Sequence, residues 1–301
     1  MADDQQTHVA DEHQQVRMML WAVPRSTSTV FTKLMSFIDD SLIYFQPYLA
    51  ALWFGQYPQS KCDQDAARAY LEKLSEVTNV TGGIQTSECT FSWAKEQLEK
   101  PHGGKKLIFC KDLCFSVADH YESLPRGYRH VFLIRHPLKV FASWRKIYPL
   151  ERCEDFQLDE VPTSVFFPSG YAFNEMIELL DHVKTTLDPE PIIIDCDDLL
   201  RDPQGIISKL FKMVGLPFED RYMHWEEGGV VAKQWVICNG FLQGHERWQY
   251  YKHAFASTCF TKVGALPDRA TLTADVLRLA DASMPNYDRM FAQRLTVQNV
   301  E

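Results

Sequence analysis

Residues 16–29, VRMMLWAVPRSTST, give the clearest indication of the fold. Residues 16–23 are almost all apolar and predict a buried strand. A short polar turn follows, and the sequence after it predicts a helix over residues 28–38. A buried strand that leads through a short turn into a helix is typical of the units that build a parallel sheet.

The same alternation continues along the chain. Short, mostly apolar strands are predicted at 41–46, 106–111, 130–135 and 191–196, and helices at 63–77, 91–98, 138–148, 171–187, 203–214 and 273–282. Since buried parallel strands need helices on both faces, the sequence predicts an α/β fold with three layers, α/β/α, around a mostly parallel sheet. No repeat or long linker interrupts the pattern, so we expect a flexible tail over residues 1–16 and a single domain over residues 17–301.

Composition and charge narrow the classes of function. The chain has 301 residues, of which 46% are hydrophobic and 24% charged, as in ordinary soluble proteins. Acidic residues outnumber basic ones by 40 to 31, which disfavours binding to nucleic acid. The sequence has neither a long apolar run nor a signal peptide, and its scattered cysteines are typical of buried, reduced thiols. We therefore expect a cytoplasmic monomer or homodimer that binds no membrane and no metal and acts on a small molecule.

Two segments at predicted strand ends carry anion-binding chemistry. The first is the loop over residues 24–29, where Arg25 and four hydroxyls precede the start of a helix, whose free N–H groups and dipole favour an anion. Capping of that helix is the alternative role of the hydroxyl residues, which are Ser26, Thr27, Ser28 and Thr29. The second segment ends a strand with Arg135 and places Ser143 two helical turns later. We expect two spaced positive pockets at one edge of the sheet, for a ligand with two charged groups.

With these segments the chain resembles the sulfotransferases that use 3′-phosphoadenosine 5′-phosphosulfate (PAPS) and release 3′,5′-adenosine bisphosphate (PAP), as a divergent member. The loop PRSTST at 24–29 is similar to the first signature of that family. Arg135-His136-Pro137 with Ser143 is similar to the second signature. The stretches 192–203 and 214–217 are similar to a third, which comprises a strand, a helix that begins with proline and a Gly-Leu-Pro ending. The resemblance implies a P-loop-like fold with PAPS as the sulfuryl donor.

The resemblance also implies a role for each matched residue. Arg25 would lie against the bridging oxygen and stabilise the charge on the leaving phosphate. The loop residues Ser26, Thr27, Ser28 and Thr29 would hold the 5′-phosphosulfate. Arg135 and Ser143 would select the 3′-phosphate, and Arg247 is similar to a late arginine near the nucleotide. No metal is implied, because fixed donors neutralise the charge.

The chain departs from the family pattern at two positions. Thr27 stands where glycine is usual, and because a β-branched residue avoids positive φ, we expect a loop of somewhat different shape. Gln46 stands where several branches of the family carry a catalytic glutamate, and its amide has no useful basicity.

Other acidic residues are candidates for the missing base. Asp112 follows the third predicted strand, Glu88 lies in the segment Thr86–Glu88, and Asp39 or Asp40 could also serve. For each of these carboxylates, exposure to solvent or capping of a helix is the alternative interpretation.

Aromatic residues in the first third of the chain suggest an apolar acceptor pocket, although core packing accounts for at least half of them. The candidate substrate-binding residues are Gln46, Tyr48, Trp53 and Trp93.

Three functions are consistent with these patterns. The first is transfer of a sulfuryl group from PAPS to a hydroxyl or amine of a small, partly hydrophobic or aromatic acceptor. The second is an elimination or cyclisation of a phosphorylated or sulfated small molecule on a sulfotransferase fold. The third is binding of a nucleotide or of a partner without catalysis.

Overall fold

Parallel pairing connects all six strands in the part of the chain that the structure, a computed structural model, describes: residues 15–55, 72–78, 80–147, 157–158 and 170–297. The order across the sheet is β5-β4-β1-β3-β2-β6. The strands are β1 (Val16–Ala22), β2 (Ser41–Phe45), β3 (Leu107–Leu113), β4 (Arg129–Ile134), β5 (Ile192–Asp195) and β6 (Val236–Ile237). β1 is fully buried from Met18 onward, as expected of a central strand covered on both faces.

Helices cover both faces of this sheet. They are α1 (Ser28–Met35), α2 (Pro47–Phe54), α3 (Phe91–Glu99), α4 (Pro137–Ile147), α5 (Phe173–Thr186), α6 (Cys196–Arg201), α7 (Pro203–Val214), α8 (Asn239–Trp248), α9 (Lys252–Phe255) and α10 (Ala274–Phe291).

Aromatic contacts between two helices and the sheet show that the fold has three layers. Phe31 of α1 stacks on Phe109 of β3, and Tyr48 of α2 packs on Trp21 of β1. Phe109 is paired with Met18, which lies an odd number of positions from Trp21, so the two contacts are on opposite faces of the sheet. The predicted α/β/α architecture is confirmed, and every described strand pairing is parallel.

Element boundaries differ from the sequence prediction in several places. The helix predicted to end at residue 38 ends at Met35, and the last helix continues past residue 282 to Phe291, through Pro285. The third strand extends to Leu113, so Asp112 lies inside it and not after it. The strand β6 and the helices α2, α6, α8 and α9 were not predicted.

Two predicted segments lie largely outside the described residues. They are the flexible tail, of which only residues 15 and 16 are described, and the helix at 63–77, of which residues 72–75 are helical. None of the helices in the described ranges is both long enough and apolar enough to cross a bilayer.

The parallel sheet brings the carboxyl ends of its strands to one edge, where open α/β sheets bind ligands. The loop over residues 24–29 follows β1, Gln46 follows β2, Lys111 lies near the end of β3 and Arg135 follows β4. The chemistry-bearing residues therefore lie along a single edge.

Candidate functional site

The loop after β1 leads directly into the first turn of α1. Thr27 is the N-cap residue of α1, and its carbonyl accepts the first helical hydrogen bond, from Phe31 N at 3.1 Å. No side chain caps this helix, and its first turn contains no acidic residue. Ser26 is buried and its hydroxyl donates to the carbonyl of Val23 at 2.7 Å, which supports the bend of the loop. The first amides of α1, at Ser28 and Thr29, therefore lie at the positive end of the helix dipole, which favours an anion there.

Thr27 does adopt a left-handed conformation, with φ 67°, and Arg25 has φ 63°. The expectation that Thr27 avoids a positive φ is therefore wrong, and a loop shape different from that of the family stays a prediction. The Thr27 hydroxyl lies 3.3 Å from Sγ of Cys196, the first residue of α6. We attribute the tolerated backbone conformation to this contact, because it gives the side chain a polar partner where the glycine of the family has none.

The two arginines of the predicted anion sites form one cluster. Arg25 Nε donates to Ser143 Oγ at 3.1 Å, and Arg135 Nη1 donates to the carbonyl of Arg25 at 2.6 Å. The two segments, expected to form pockets that are spaced apart, are therefore in direct contact. Burial, and then the neighbouring Arg135 guanidinium, lower the pKa of Arg25.

This cluster contains positive charge without a protein counter-ion. Neither Arg25 nor Arg135 forms an ion pair with a carboxylate among the described residues, and Arg135 Nε is buried without a hydrogen-bond partner. A buried donor without a partner is costly, and a bound anion removes that cost. The cluster is therefore suited to a phosphate or sulfate group.

Arg247 lies in the last turn of α8 and is exposed. Its guanidinium is 3.7 Å from the carboxylate of Glu76 and 5.8 Å from the ring centroid of Trp248. Its proposed contact with the nucleotide stays a prediction.

A second group of polar side chains lies where β2 and β3 end. Gln46 is buried, with φ 57°, and its Oε1 accepts a hydrogen bond from the hydroxyl of Tyr251 at 3.3 Å. Lys111 is also buried, and its Nζ lies 5.1 Å from the ring centroid of Phe45. Burial lowers the pKa of Lys111 to about 8.

Neither Lys111 nor Tyr251 is predicted as a site residue from the sequence. A lysine near a strand end usually reaches solvent, so its residue type gave no sign of burial. The pairing of Phe45 with Lys111 in neighbouring strands is the signal that could have placed Lys111 beside Gln46. Tyr251 reaches Gln46 only through tertiary packing.

Asp112, one of the candidate bases, caps a helix. Its carboxylate accepts from the amides of Tyr48 at 2.7 Å, Leu49 at 3.3 Å and Leu113 at 2.8 Å, and the residue is fully buried. Burial raises the pKa of Asp112 to about 6. The structure thus gives Asp112 a capping role at the start of α2, and its catalytic role stays a prediction.

The remaining predicted site residues are distributed around α2. Glu88 is exposed on the short helical turn Thr86–Glu88. Tyr48 is fully buried and its hydroxyl donates to the carbonyl of Ser123 at 2.8 Å, so it belongs to the core and not to an open pocket. Trp53 and Trp93 are partly buried against the core. Within the described ranges no group of three or more His, Cys, Asp or Glu side chains is placed to hold a metal ion.

Comparison with known proteins identifies a family. Residues 108–294, more than half of the chain, match the family model described as Sulfotransferase domain. Branched-chain-amino-acid aminotransferase-like protein 2 of Arabidopsis thaliana is 26% identical over 242 residues, which are 78% of this chain and 37% of that protein. The chain spans about two fifths of the length of the curated relatives it matches.

Two solved structures with a similar backbone fold each cover most of this chain. The sulfotransferase domain of the Synechococcus PCC 7002 olefin synthase is 16% identical, with a TM-score of 0.46, covering 95% of this chain and 98% of that one. Retinol dehydratase, in a complex with retinol and PAP, is 13% identical, with a TM-score of 0.46, covering 93% of this chain and 82% of that one.

Proposed function

The chain belongs to the sulfotransferase-domain family, and from this premise we propose that it transfers a sulfuryl group from PAPS to a hydroxyl or amine of a small, partly hydrophobic or aromatic acceptor. One observation carries the proposal. Arg25, Ser143 and Arg135 meet at the carboxyl edge of the sheet, beside the start of α1, and no carboxylate in the described part of the chain forms an ion pair with either arginine.

The residues at this edge fit a nucleotide with two anionic groups. The amides of Ser28 and Thr29 at the start of α1, with the hydroxyls of the loop, would hold the 5′-phosphosulfate. Arg135 and Ser143 would hold the 3′-phosphate, and the buried Arg135 Nε would gain the acceptor that it lacks. When bound, PAPS supplies the activated sulfuryl group.

The protein's own contribution to the reaction is positive charge at fixed positions. Arg25 is held by Ser143 and lies in the loop that would bind the phosphosulfate, so its guanidinium can stabilise the charge that develops on the leaving phosphate. Lys111 adds a buried ammonium at the end of β3, in the strand beside β1. Because burial weakens solvent screening, both charges act more strongly on a bound anion than they would in water.

Release of PAP tests this proposal. The protein is incubated with PAPS and a library of phenols, alcohols and amines, and PAP and the sulfated product are quantified. We expect acceptor-dependent release by the wild type and a loss of about a hundredfold or more in Arg25→Ala. The matched control is Arg126→Ala, because Arg126 is exposed and lies outside the site. Failure of the folded wild type to release PAP with any acceptor would contradict the proposal.

A further inference from the structure

The group of side chains around Gln46 presents hydrogen-bond donors. The side-chain oxygen Oε1 of Gln46 accepts a hydrogen bond from the Tyr251 hydroxyl. The side-chain nitrogen Nε2 is therefore the atom that remains for a ligand. Tyr251 is itself fixed in place. Its amide donates to Nδ1 of His245 at 3.2 Å, and its ring meets the ring of Phe45 edge-on at 5.3 Å. The orientation of the Gln46 amide is therefore set by packing.

Lys111 adds a cation beside the Phe45 ring, which the Tyr251 ring also contacts. It is the pairing partner of Phe45 in the adjacent strand, and its ammonium faces the Phe45 ring. Among the residues that the structure describes, Lys111 Nζ forms no hydrogen bond and no ion pair. A buried ammonium in this state is stabilised by an anion that enters the site.

The carboxylates suggested by the sequence are directed elsewhere. Asp112 accepts hydrogen bonds from two amides in the first turn of α2 and from the amide of Leu113 in its own strand, and Glu88 is exposed on a separate turn. Lys111 and the Gln46 amide would thus meet the reacting group of the acceptor as donors. Asp112, the nearer of these two carboxylates, is held by backbone amides, so we expect neither to remove the proton of the acceptor.

We propose that the acceptor binds as an oxyanion, which restricts it to molecules with an acidic hydroxyl such as a phenol or an enol. This inference rests on the proposed function and names the substrate class of the same site. The ammonium of Lys111 and the amide of Gln46 hold the ionised oxygen. Alkyl alcohols are disfavoured because they reach the site protonated, and amines because their attack creates a second cation next to Lys111.

The reaction then needs no general base. The acceptor oxyanion forms a bond to sulfur while the bond between sulfur and the bridging phosphate oxygen breaks. The electron pair of that bond stays on the phosphate, where Arg25 stabilises it, and no proton moves in the step.

A spectroscopic titration tests the inference without turnover. 4-Nitrophenol absorbs differently as a phenol and as a phenolate, so its pKa is measured when it is bound to the protein together with PAP. We expect the pKa of the bound phenol to fall by about one unit or more below that of the free molecule, as for an acid beside a fixed cation. A bound pKa that is unchanged or raised, or an absence of binding while PAP binds, overturns the inference.

Two variants test which side chains cause the pKa shift of the bound phenol. Lys111→Met removes the cation, and Gln46→Glu keeps the shape and the partner of Tyr251 while placing a negative charge beside the phenolate. Both should reduce the pKa shift, whereas Lys106→Met, at an exposed lysine, should leave it intact. A full shift in both site variants contradicts the inference.

Turnover separates this inference from the proposed function. Across a series of substituted phenols, kcat/KM should rise with pH up to the pKa of each acceptor. If sulfuryl transfer shows the same pH profile for all acceptors, binding of the acceptor as an oxyanion is refuted, while the proposed sulfotransferase activity stands. A lowered pKa of the bound phenol without any release of PAP would support the oxyanion site and contradict sulfuryl transfer.

Discussion

A hydrogen bond from Arg25 Nε to Ser143 Oγ, 3.1 Å long, joins the loop after β1 to α4. It brings together the residue that would stabilise the leaving phosphate and one that would bind the 3′-phosphate. Ser143 therefore positions Arg25, and in the proposed complex its hydroxyl would also contact the nucleotide.

Replacement of Ser143 by alanine should weaken PAP binding about tenfold or more, since a hydrogen bond to a charged group contributes roughly 1.5–3 kcal/mol. Titration calorimetry with PAP and with 5′-AMP measures the effect. The affinity for 5′-AMP should fall less than that for PAP, because 5′-AMP lacks the 3′-phosphate and feels only the loss of the hydrogen bond that positions Arg25. An equal loss for both nucleotides would show that Ser143 acts only by holding the loop.

Thr27 gives a prediction about backbone strain. In Thr27→Gly the cost of a left-handed β-branched residue disappears, but so does the contact with Cys196, and we expect a change in stability below about 1 kcal/mol. Thr27→Val keeps the cost and loses the contact, so it should be destabilised by about 1 kcal/mol or more. Urea unfolding compares the variants. Equal stability of Thr27→Val and wild type would exclude a role for the contact with Cys196.

Asp112→Asn tests the capping role of this carboxylate. Loss of an ionised acceptor for the amides at the start of α2 should lower stability by about 1–3 kcal/mol, visible as a lower Tm. The value of kcat/KM for sulfuryl transfer should change less than about tenfold. A fall of about 10²–10⁴ would instead identify Asp112 as the group that takes the proton.

The buried His130 makes the stability of the protein depend on pH. It is fully buried and its Nδ1 accepts a hydrogen bond from Trp21 Nε1 at 3.0 Å. Burial lowers the pKa of His130 from 6.5 to about 4. The unfolded chain takes up a proton below pH 6.5 that the folded chain refuses, so this contribution to stability is complete above pH 6.5 and is lost as the pH falls to about 4.

The difference between the pKa of His130 in the unfolded chain, 6.5, and in the folded chain, about 4, corresponds to a loss in the free energy of unfolding on the order of 3 kcal/mol. Urea unfolding between pH 7 and pH 4 of wild type and His130→Asn measures it, since asparagine keeps an acceptor for Trp21. The variant should have a shallower dependence on pH, and parallel curves would contradict this origin.

Local sequence patterns were enough to predict the parallel sheet and the position of Arg25 and Arg135 at one edge of it, but not the contact between these two residues. The apolar run of β1, the polar turn with Arg25, and Arg135 at the end of β4 are each readable within about ten residues. The parallel sheet then brings their ends together without further information.

Other features depend on contacts between distant parts of the chain. Lys111 is buried by packing around Phe45, and Tyr251 is brought to Gln46 from the far end of the sequence. The left-handed Thr27 was misjudged because its partner, Cys196, belongs to another helix. The helix α2 was missed since it is only eight residues long and almost entirely apolar, so it carries no helical periodicity.

A thermal-shift titration of the wild type and of Arg135→Ala with PAP decides whether the arginine cluster binds a doubly phosphorylated adenosine. PAP at about a hundred times its Kd should raise the Tm of the wild type by about 5 °C or more, and 5′-AMP at the same concentration by clearly less. In Arg135→Ala the difference between the two nucleotides should vanish. A folded wild type whose Tm does not respond to PAP, or a variant that responds as the wild type does, would contradict the proposed site.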